Sequence, residues 1–170
     1  KMSKSLANVM APQEIIGEFG EDILRLWVAS TDYRNDIRIS KKIVDNLVES
    51  YRRIRNTARF LLGNLYDFDP ERHRVPVEHM DEMDRWMLSR LQDVVRKATE
   101  GFENYEFHVP SFIIHQFCVN EMSSIFMETA KDRLYASAPG DGARRSCQTV
   151  MWELLGTLTR LLAPILSFTT

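Results

Sequence analysis

The residues best able to do chemistry stand at the start of the chain, in the stretch KMSKS. Lys1 and Lys4 lie three positions apart in a polar segment, with Ser3 and Ser5 beside them. Two ammonium groups at this spacing can converge on one polyphosphate, and serine hydroxyls and backbone N–H groups supply further donors. We therefore interpret residues 1–5 as a candidate phosphate-binding loop. The alternative is an exposed terminus that binds nothing.

A second group of cations lies in the middle of the chain. Between Glu49 and Asp67 there are four arginines and no acid: Arg52, Arg53, Arg55 and Arg59. On a helix, the spacings of three and four place Arg52, Arg55 and Arg59 on one face, away from the apolar side chains. We name these three residues the arginine stripe. It is either an ordinary solvated helix face or a surface that contacts phosphate groups.

Arg144 and Arg145 are unusual because they lie near the predicted start of the last helix, where positive charge opposes the helix macrodipole. Salt bridges within a helical bundle and contacts with phosphate groups both explain them, and the sequence leaves the choice open. The net charge of the chain is −2, so no global field attracts nucleic acid. Any such binding depends on local patches of this kind.

Other kinds of site have little support in the sequence. A glycine-rich phosphate cradle and an HExxH metal pair are both absent from it. Cys118 and Cys147 are isolated in apolar patterns without a histidine pair nearby, so no zinc or other metal site is predicted. His115 lies in an apolar helical pattern, and we interpret it as a packed, hydrogen-bonded side chain. No self-contained active site is predicted.

Composition limits the class of protein. Hydrophobic residues make up 44% and charged residues 27% of 170 residues, which is typical of one soluble globular domain. No apolar run approaches the roughly 20 residues of a membrane span, so we predict no membrane association. Two isolated cysteines fit a reducing compartment, and we expect a cytoplasmic protein.

Hydrophobic periodicity predicts a series of helices. A short helix ends at Gly20, EDILRLWVAS continues as a second, and Ser40 caps a long third run to about Leu65. Its predicted apolar stripe is Ile43, Leu47, Tyr51, Ile54, Ala58, Leu61 and Leu65. A connection over 66–82 precedes a helix that contains Met87, Leu91, Ala98 and Phe102. The next helix is predicted over 111–135 and is apolar on several faces, which indicates a central position.

The last helix follows the turn SAPGDG and ends near Pro164. No stretch alternates like a strand, so the sequence predicts an all-α, antiparallel helical bundle. Residues 1–38 are interpreted as the candidate loop with two connecting helices, and residues 39–170 as the bundle. Lys1 stands in place of an initiator methionine and the chain ends in an apolar segment. We therefore expect both ends to be internal to a longer protein.

Several longer stretches resemble one protein family. KMSKSLANVMAPQEIIGEFGEDILRLW resembles the signature loop and following helices of class I aminoacyl-tRNA synthetases. STDYRNDIRIS, YRRIRNTARFLLGNL, KDRLY and RRSCQT are similar to the isoleucine-specific members of that family. Ala7 departs from the glycine that is usual in the family's KMSKSLGN. Its methyl group restricts the backbone slightly and leaves both lysines in place.

The resemblance implies roles for the candidate residues. Lys1, Met2, Ser3, Lys4 and Ser5 would form a loop that binds ATP, with Mg²⁺, and both lysines, Lys4 above all, would stabilise the departing pyrophosphate. The bundle would contact the anticodon stem of isoleucine tRNA. The candidate tRNA contacts are Arg52, Arg53, Arg55, Arg59, Arg144 and Arg145. Because residues 1–5 precede any apolar anchor, we expect residues 1–8 to be mobile without the catalytic domain.

The family's other parts are not represented in this sequence: the Rossmann catalytic domain with its isoleucine site, the editing domain and a zinc-binding C-terminal region. We therefore expect the chain to be catalytically inactive alone, to bind no cofactor and to be monomeric. Two alternatives stay open. The chain is a tRNA-binding domain, of an isoleucine-specific enzyme or a valine- or leucine-specific relative, or it is a helical interaction module that does not bind RNA. Salt-dependent binding of tRNA separates these hypotheses.

Overall fold

Seven α-helices follow one another in residues 10–170, the part of the chain that the computed structural model describes, and this part contains no strand. The helices are α1 (Pro12–Phe19), α2 (Glu21–Ser30), α3 (Lys41–Gly63), α4 (Glu82–Glu103), α5 (His108–Gln116), α6 (Met127–Tyr135) and α7 (Gly142–Leu162). A 3₁₀ turn covers Val77–His79, and a π-helical segment over Phe117–Phe126 joins α5 to α6. The predicted all-α fold is confirmed.

The first two helices meet at Gly20, as the sequence predicts. Gly20 has a φ of 89°, a left-handed conformation that favours glycine, and its N–H donates to the carbonyl of Ile16. A small apolar cluster of Ile15, Ile23 and Val44 then joins α1 and α2 to the first turns of α3. The N-terminal end of α3 therefore lies beside residues 12–30.

Helix α3 begins as predicted, because the side chain of Ser40 accepts a hydrogen bond from the N–H of Ile43 at 3.3 Å. Its buried face differs slightly from the predicted stripe, since Val44 and Thr57 are buried whereas Ile43 and Ala58 are only half-buried. Val44 turns inward to pack on α1 and α2. Thr57 can be buried because its hydroxyl donates to the carbonyl of Arg53 at 2.9 Å.

Helices α3 and α7 are antiparallel, and contacts at both ends hold them together. At one end, Gln148 Nε2 donates to the carbonyl of Asn64 at 2.9 Å. Toward the other end, the hydroxyls of Tyr51 and Thr169 are 2.9 Å apart. The main hydrophobic core lies between these helices, α4 and the run from α5 to α6. The antiparallel bundle is thus as predicted.

The run from His108 to Tyr135 occupies the centre of the bundle, in agreement with its many apolar faces. The sequence predicts a single helix here, and the structure has one continuous run with wider turns in its middle. Ser123 and Ser124 donate to the carbonyls of Cys118 and Val119, five residues earlier, at 2.8 and 2.9 Å. These side-chain bonds lie within the π-helical segment Phe117–Phe126, whose wider turns periodicity does not reveal.

A close approach of Gly101 to the side chains of Val109 and Pro110 fixes the corner between α4 and α5. A Cβ atom at Gly101 would lie 2.7 Å from Cδ of Pro110, so only glycine fits at this position. The N–H of Glu106 donates to the carbonyl of Gly101 at 2.8 Å and closes the turn. Proline near the start of α5 is tolerated because the first N–H groups of a helix have no intrahelical partner.

Candidate nucleic-acid interface

The arginine stripe lies on the exposed face of α3, on the side that adjoins α7. Its three arginines are all exposed. Arg55 and Arg59 line a groove of about 410 Å³ between α3 and α7, whose walls are largely leucine side chains. In residues 10–170 neither Arg55 nor Arg59 forms a salt bridge. Their guanidinium groups are therefore available to an anionic partner.

Arg52 has an acidic partner that lies just outside the acid-free interval of the sequence. Glu49, three residues earlier on the same helix, accepts a hydrogen bond from Arg52 at 2.6 Å. Both side chains are exposed, and an exposed pair of this spacing is worth about 0.3–0.5 kcal/mol. A phosphate group can readily compete with such a weak pair, so Arg52 stays a candidate contact.

Arg53 lies on the other side of α3, toward α5. Burial, and secondly the charge of Arg53, lower the pKa of His115 below its ordinary value of 6.5. The prediction of a hydrogen-bonded His115 is wrong for Nε2, because this atom is buried without a partner among the described residues. His115 and His108 both line a pocket of about 150 Å³, and His108 Nδ1 is also buried without a partner.

Arg144 and Arg145 belong to a salt-bridge network inside the bundle. The guanidinium of Arg144 donates to both carboxylate oxygens of Asp67 at 3.1 Å, and its side chain is only 7% exposed. Arg145 donates to the carbonyl of Asp67 at 2.9 Å and to Gln148 at 2.7 Å. The sequence left open whether Arg144 and Arg145 form salt bridges within the bundle or contact phosphate groups. In the structure they form salt bridges. The structure therefore separates these two residues from the arginine stripe.

Two acids compensate for the positive charge at the start of α7. The side chain of Asp141 caps the helix by accepting from the N–H groups of Ala143 and Arg144 at 2.9 and 3.2 Å. Asp67 supplies the second negative charge from the segment after α3. Burial raises the pKa of Asp67, but hydrogen bonds from Gln148 and Arg144 and the charges of both arginines outweigh it and lower the pKa.

This lowered pKa predicts how Asp67→Asn changes stability with pH. A carboxylate whose pKa falls on folding stabilises the protein above its unfolded pKa, near 3.8, and loses this contribution as the pH falls through the folded pKa. The urea midpoint of Asp67→Asn should therefore lie below that of the unchanged chain at pH 7, and the difference should shrink below about pH 4. Asp36→Asn, an exposed control, should show no such difference. A constant difference down to pH 3 would contradict the assignment.

The candidate ATP loop lies outside the described residues. This applies to Lys1, Met2, Ser3, Lys4 and Ser5 and to the expected mobility of residues 1–8. Within residues 10–170, no three His, Cys, Asp or Glu side chains are grouped as a metal site would require. None of the helices in that range is both long and apolar enough to cross a membrane.

Comparison with known proteins identifies the family. A model of the anticodon-binding domain of tRNA ligase matches residues 84–170, and one of class I tRNA synthetases (I, L, M and V) matches residues 1–40. The chain is 54% identical to isoleucine–tRNA ligase of Carboxydothermus hydrogenoformans over 170 residues, which is 100% of this chain and 18% of that protein. The Thermotoga maritima protein of the same name is 53% identical over 169 residues, or 99% and 18% of the two chains.

The chain thus spans less than a fifth of the length of these relatives. The anticodon-binding model covers α4 to α7, and the class I model covers the signature stretch with α1 and α2. Both matches agree with the resemblance in the sequence. This chain belongs to the family of anticodon-binding domains of tRNA ligases, within the isoleucine–tRNA ligase group.

Proposed function

We propose that this chain binds the anticodon stem of an isoleucine tRNA, with the arginine stripe against the phosphate backbone. The observation that carries the proposal is the exposure of Arg52, Arg55 and Arg59 along one face of α3. In residues 10–170, no acid from another helix pairs with them. If these arginines only balanced charge within the bundle, acids on neighbouring helices would lie opposite them.

The shape of α3 suits a helical RNA stem. Its 23 residues extend over about 35 Å, so one face can follow several consecutive phosphate groups. Arginine presents a planar fork of donors that matches the oxygens of a phosphate group. Contacts of this kind position a protein on RNA without reading its sequence. We therefore assign orientation and affinity, rather than choice of tRNA, to the arginine stripe. Arg53, on the other side of α3, is a secondary candidate.

For the whole protein we propose the activity named for its relatives: ATP-dependent activation of isoleucine and its transfer to tRNA. Residues 1–5 would contact ATP, with Mg²⁺, and the isoleucine site and the zinc would belong to other parts of the protein. Residues 1–38 then form the link to the catalytic domain, and residues 39–170 form the tRNA-binding unit. We further propose that the protein is cytoplasmic and monomeric, and that this chain alone is inactive.

The test replaces all three arginines of the stripe with glutamine. Each phosphate contact that is lost should flatten the slope of log affinity against log salt by about 0.7 to 0.9. Binding of isoleucine tRNA and of a mismatched tRNA should weaken by similar factors. The melting temperature should barely change, because exposed helix charges are worth only a few tenths of a kcal/mol. Filter binding at several salt concentrations and thermal denaturation measure these quantities.

A matched control is the double variant Arg72→Gln, Arg96→Gln. Both arginines are exposed and each faces an acid three residues away, as Arg52 does, but neither lies on α3. This variant should keep the full salt slope. An unchanged slope in the triple variant would reject the phosphate contacts. If the unchanged chain does not bind tRNA in a salt-dependent manner, the interaction module without RNA binding becomes the better hypothesis.

A further inference from the structure

Arg25 on α2 binds the polypeptide segment that follows α7. Its Nε donates to the carbonyl of Ile165 at 2.9 Å, and its Nη2 donates to the carbonyl of Pro164 at 2.7 Å. Both carbonyls lie just beyond the C-terminal end of α7, where positive charge is favourable. Arg25 is exposed, so these bonds do not serve to neutralise a buried charge. Their effect is to fix α2 against the end of α7.

Asp22, three positions before Arg25 on the same helix, binds the same segment. Its carboxylate accepts from the N–H of Phe168 at 3.3 Å and from the hydroxyl of Thr169, and the residue is only 7% exposed. The Thr169 hydroxyl also lies 2.9 Å from that of Tyr51, which connects α3 to the same contacts. We name Asp22 and Arg25 the α2 clamp.

The α2 clamp adds direction to a contact that apolar packing alone leaves less well defined. Leu26 belongs to the main hydrophobic core, and Ile23 belongs to the small cluster shared with α1 and α3. Burial of apolar side chains stabilises this contact but is non-directional. Hydrogen bonds from the planar guanidinium of Arg25 favour one geometry. The clamp therefore determines the orientation of α2 relative to α7 and α3.

The clamp also connects the two regions that match different parts of the family. Helix α2 lies within residues 1–40, which match class I tRNA synthetases, and the segment after α7 lies within residues 84–170, which match the anticodon-binding domain. In the proposed function, residues 1–38 form the link to the catalytic domain, and α3 carries the bound RNA stem. The orientation of α2 then sets where the RNA lies relative to the catalytic domain.

We propose that Asp22 and Arg25 are positioning residues for the transfer of isoleucine to tRNA. This inference rests on the proposed function. Because a tRNA is long, a small change in the angle of α2 is amplified at the end that receives isoleucine. A displacement of about 1 Å can lower a rate about 100-fold. Activation of isoleucine by ATP does not involve tRNA, so that step does not depend on the clamp.

The experiment uses the full-length protein and Arg25→Met, which keeps most of the side-chain length and removes every hydrogen-bond donor. The kcat for charging isoleucine tRNA should fall about 10-fold, whereas ATP–pyrophosphate exchange without tRNA should be unchanged. Arg25→Lys should recover most of the charging rate, because its ammonium group can still donate to a carbonyl. In the 170-residue chain, Arg25→Met should leave the tRNA affinity, the salt slope and the melting temperature nearly unchanged.

Arg160→Met is the matched control. Arg160 is also exposed and donates to a main-chain carbonyl, that of Gly156 at 2.8 Å, but this bond lies within α7 and joins no second element. The substitution should leave charging and exchange unchanged. Thr169→Val tests the clamp from the other side, since valine cannot donate to Asp22. It should lower charging selectively, and it carries the test if circular dichroism shows that Arg25→Met is not folded.

Equal charging rates in Arg25→Met and the unchanged protein would overturn the proposal. Equal losses of charging and exchange would also overturn it, because the clamp would then act on amino-acid activation. Weaker tRNA binding by the 170-residue Arg25→Met chain would instead make Arg25 an RNA contact. If the clamp variants charge normally while the triple arginine variant loses its salt slope, the clamp proposal is wrong and the proposed function stands. If the unchanged chain does not bind tRNA in a salt-dependent manner, the proposed function itself fails.

Discussion

Replacing Asp84 by alanine should lower the free energy of unfolding by about 3–5 kcal/mol. The side chain of Asp84 is fully buried between α4, α6 and α7. It accepts hydrogen bonds from Arg133 at 2.7 and 3.0 Å and from the hydroxyl of Ser146 at 2.5 Å. Without the carboxylate, the mostly buried guanidinium of Arg133 loses its main counter-charge. Urea denaturation at constant m-value measures the loss.

Asp81 provides the matched control. It also pairs with Arg133, at 3.2 Å, but its side chain is exposed. Asp81→Ala should therefore cost no more than about 1 kcal/mol. The double variant Asp84→Leu, Arg133→Met should recover much of the stability, because well-packed apolar residues often replace a buried ion pair without loss. Equal effects of Asp81→Ala and Asp84→Ala would contradict a dominant role for the buried carboxylate.

This buried network explains two of the stretches that resemble the synthetases. Arg133 belongs to KDRLY and Ser146 belongs to RRSCQT, and both bind the carboxylate of Asp84. A second carboxylate, that of Asp67, binds Arg144 from RRSCQT. The charged residues of these stretches thus join helices α4, α6 and α7 and the turn after α3.

The helices could be predicted from the sequence because local signals mark their ends. Proline in the first turn of α1, Gly20, Ser40 and the turn before α7 each act within a few residues, and apolar periodicity shows which face is buried. The predicted bundle is confirmed for this reason. The π-helical turns could not be predicted, because periodicity marks which side chains are apolar and does not reveal the backbone hydrogen-bond spacing inside a central helix.

Partners distant in the sequence could not be predicted in the same way. Asp67 and Arg144 are 77 positions apart, and nothing local to either residue indicates that they meet. The acid-free interval that contains Arg52 begins just after Glu49, so its partner on the preceding turn lies outside that interval. Nothing local to Trp152 indicates that its ring lies half-exposed beside Phe68, which follows α3 in the sequence.

In the full-length protein, Lys4→Ala should lower the rate of isoleucine adenylation about 10²- to 10³-fold and change the affinity for isoleucine little. This expectation rests on the similarity of KMSKS to the synthetase signature loop, and on the match of residues 1–40 to class I tRNA synthetases. Negative charge grows on the leaving pyrophosphate in the transition state. A lysine that approaches late stabilises that state more than the bound substrates, so its loss reduces the rate rather than binding.

ATP–pyrophosphate exchange at varied isoleucine concentration separates the two effects, because kcat should fall while KM for isoleucine stays nearly constant. Lys41→Ala is the control, since Lys41 is an exposed lysine that pairs with Glu18 at 3.2 Å and should not affect exchange. The 170-residue chain alone should catalyse no exchange. An unchanged rate in Lys4→Ala would reject the role of Lys4. A raised KM at constant kcat would instead assign Lys4 to substrate binding, since interactions equal in the ground and transition states affect only KM.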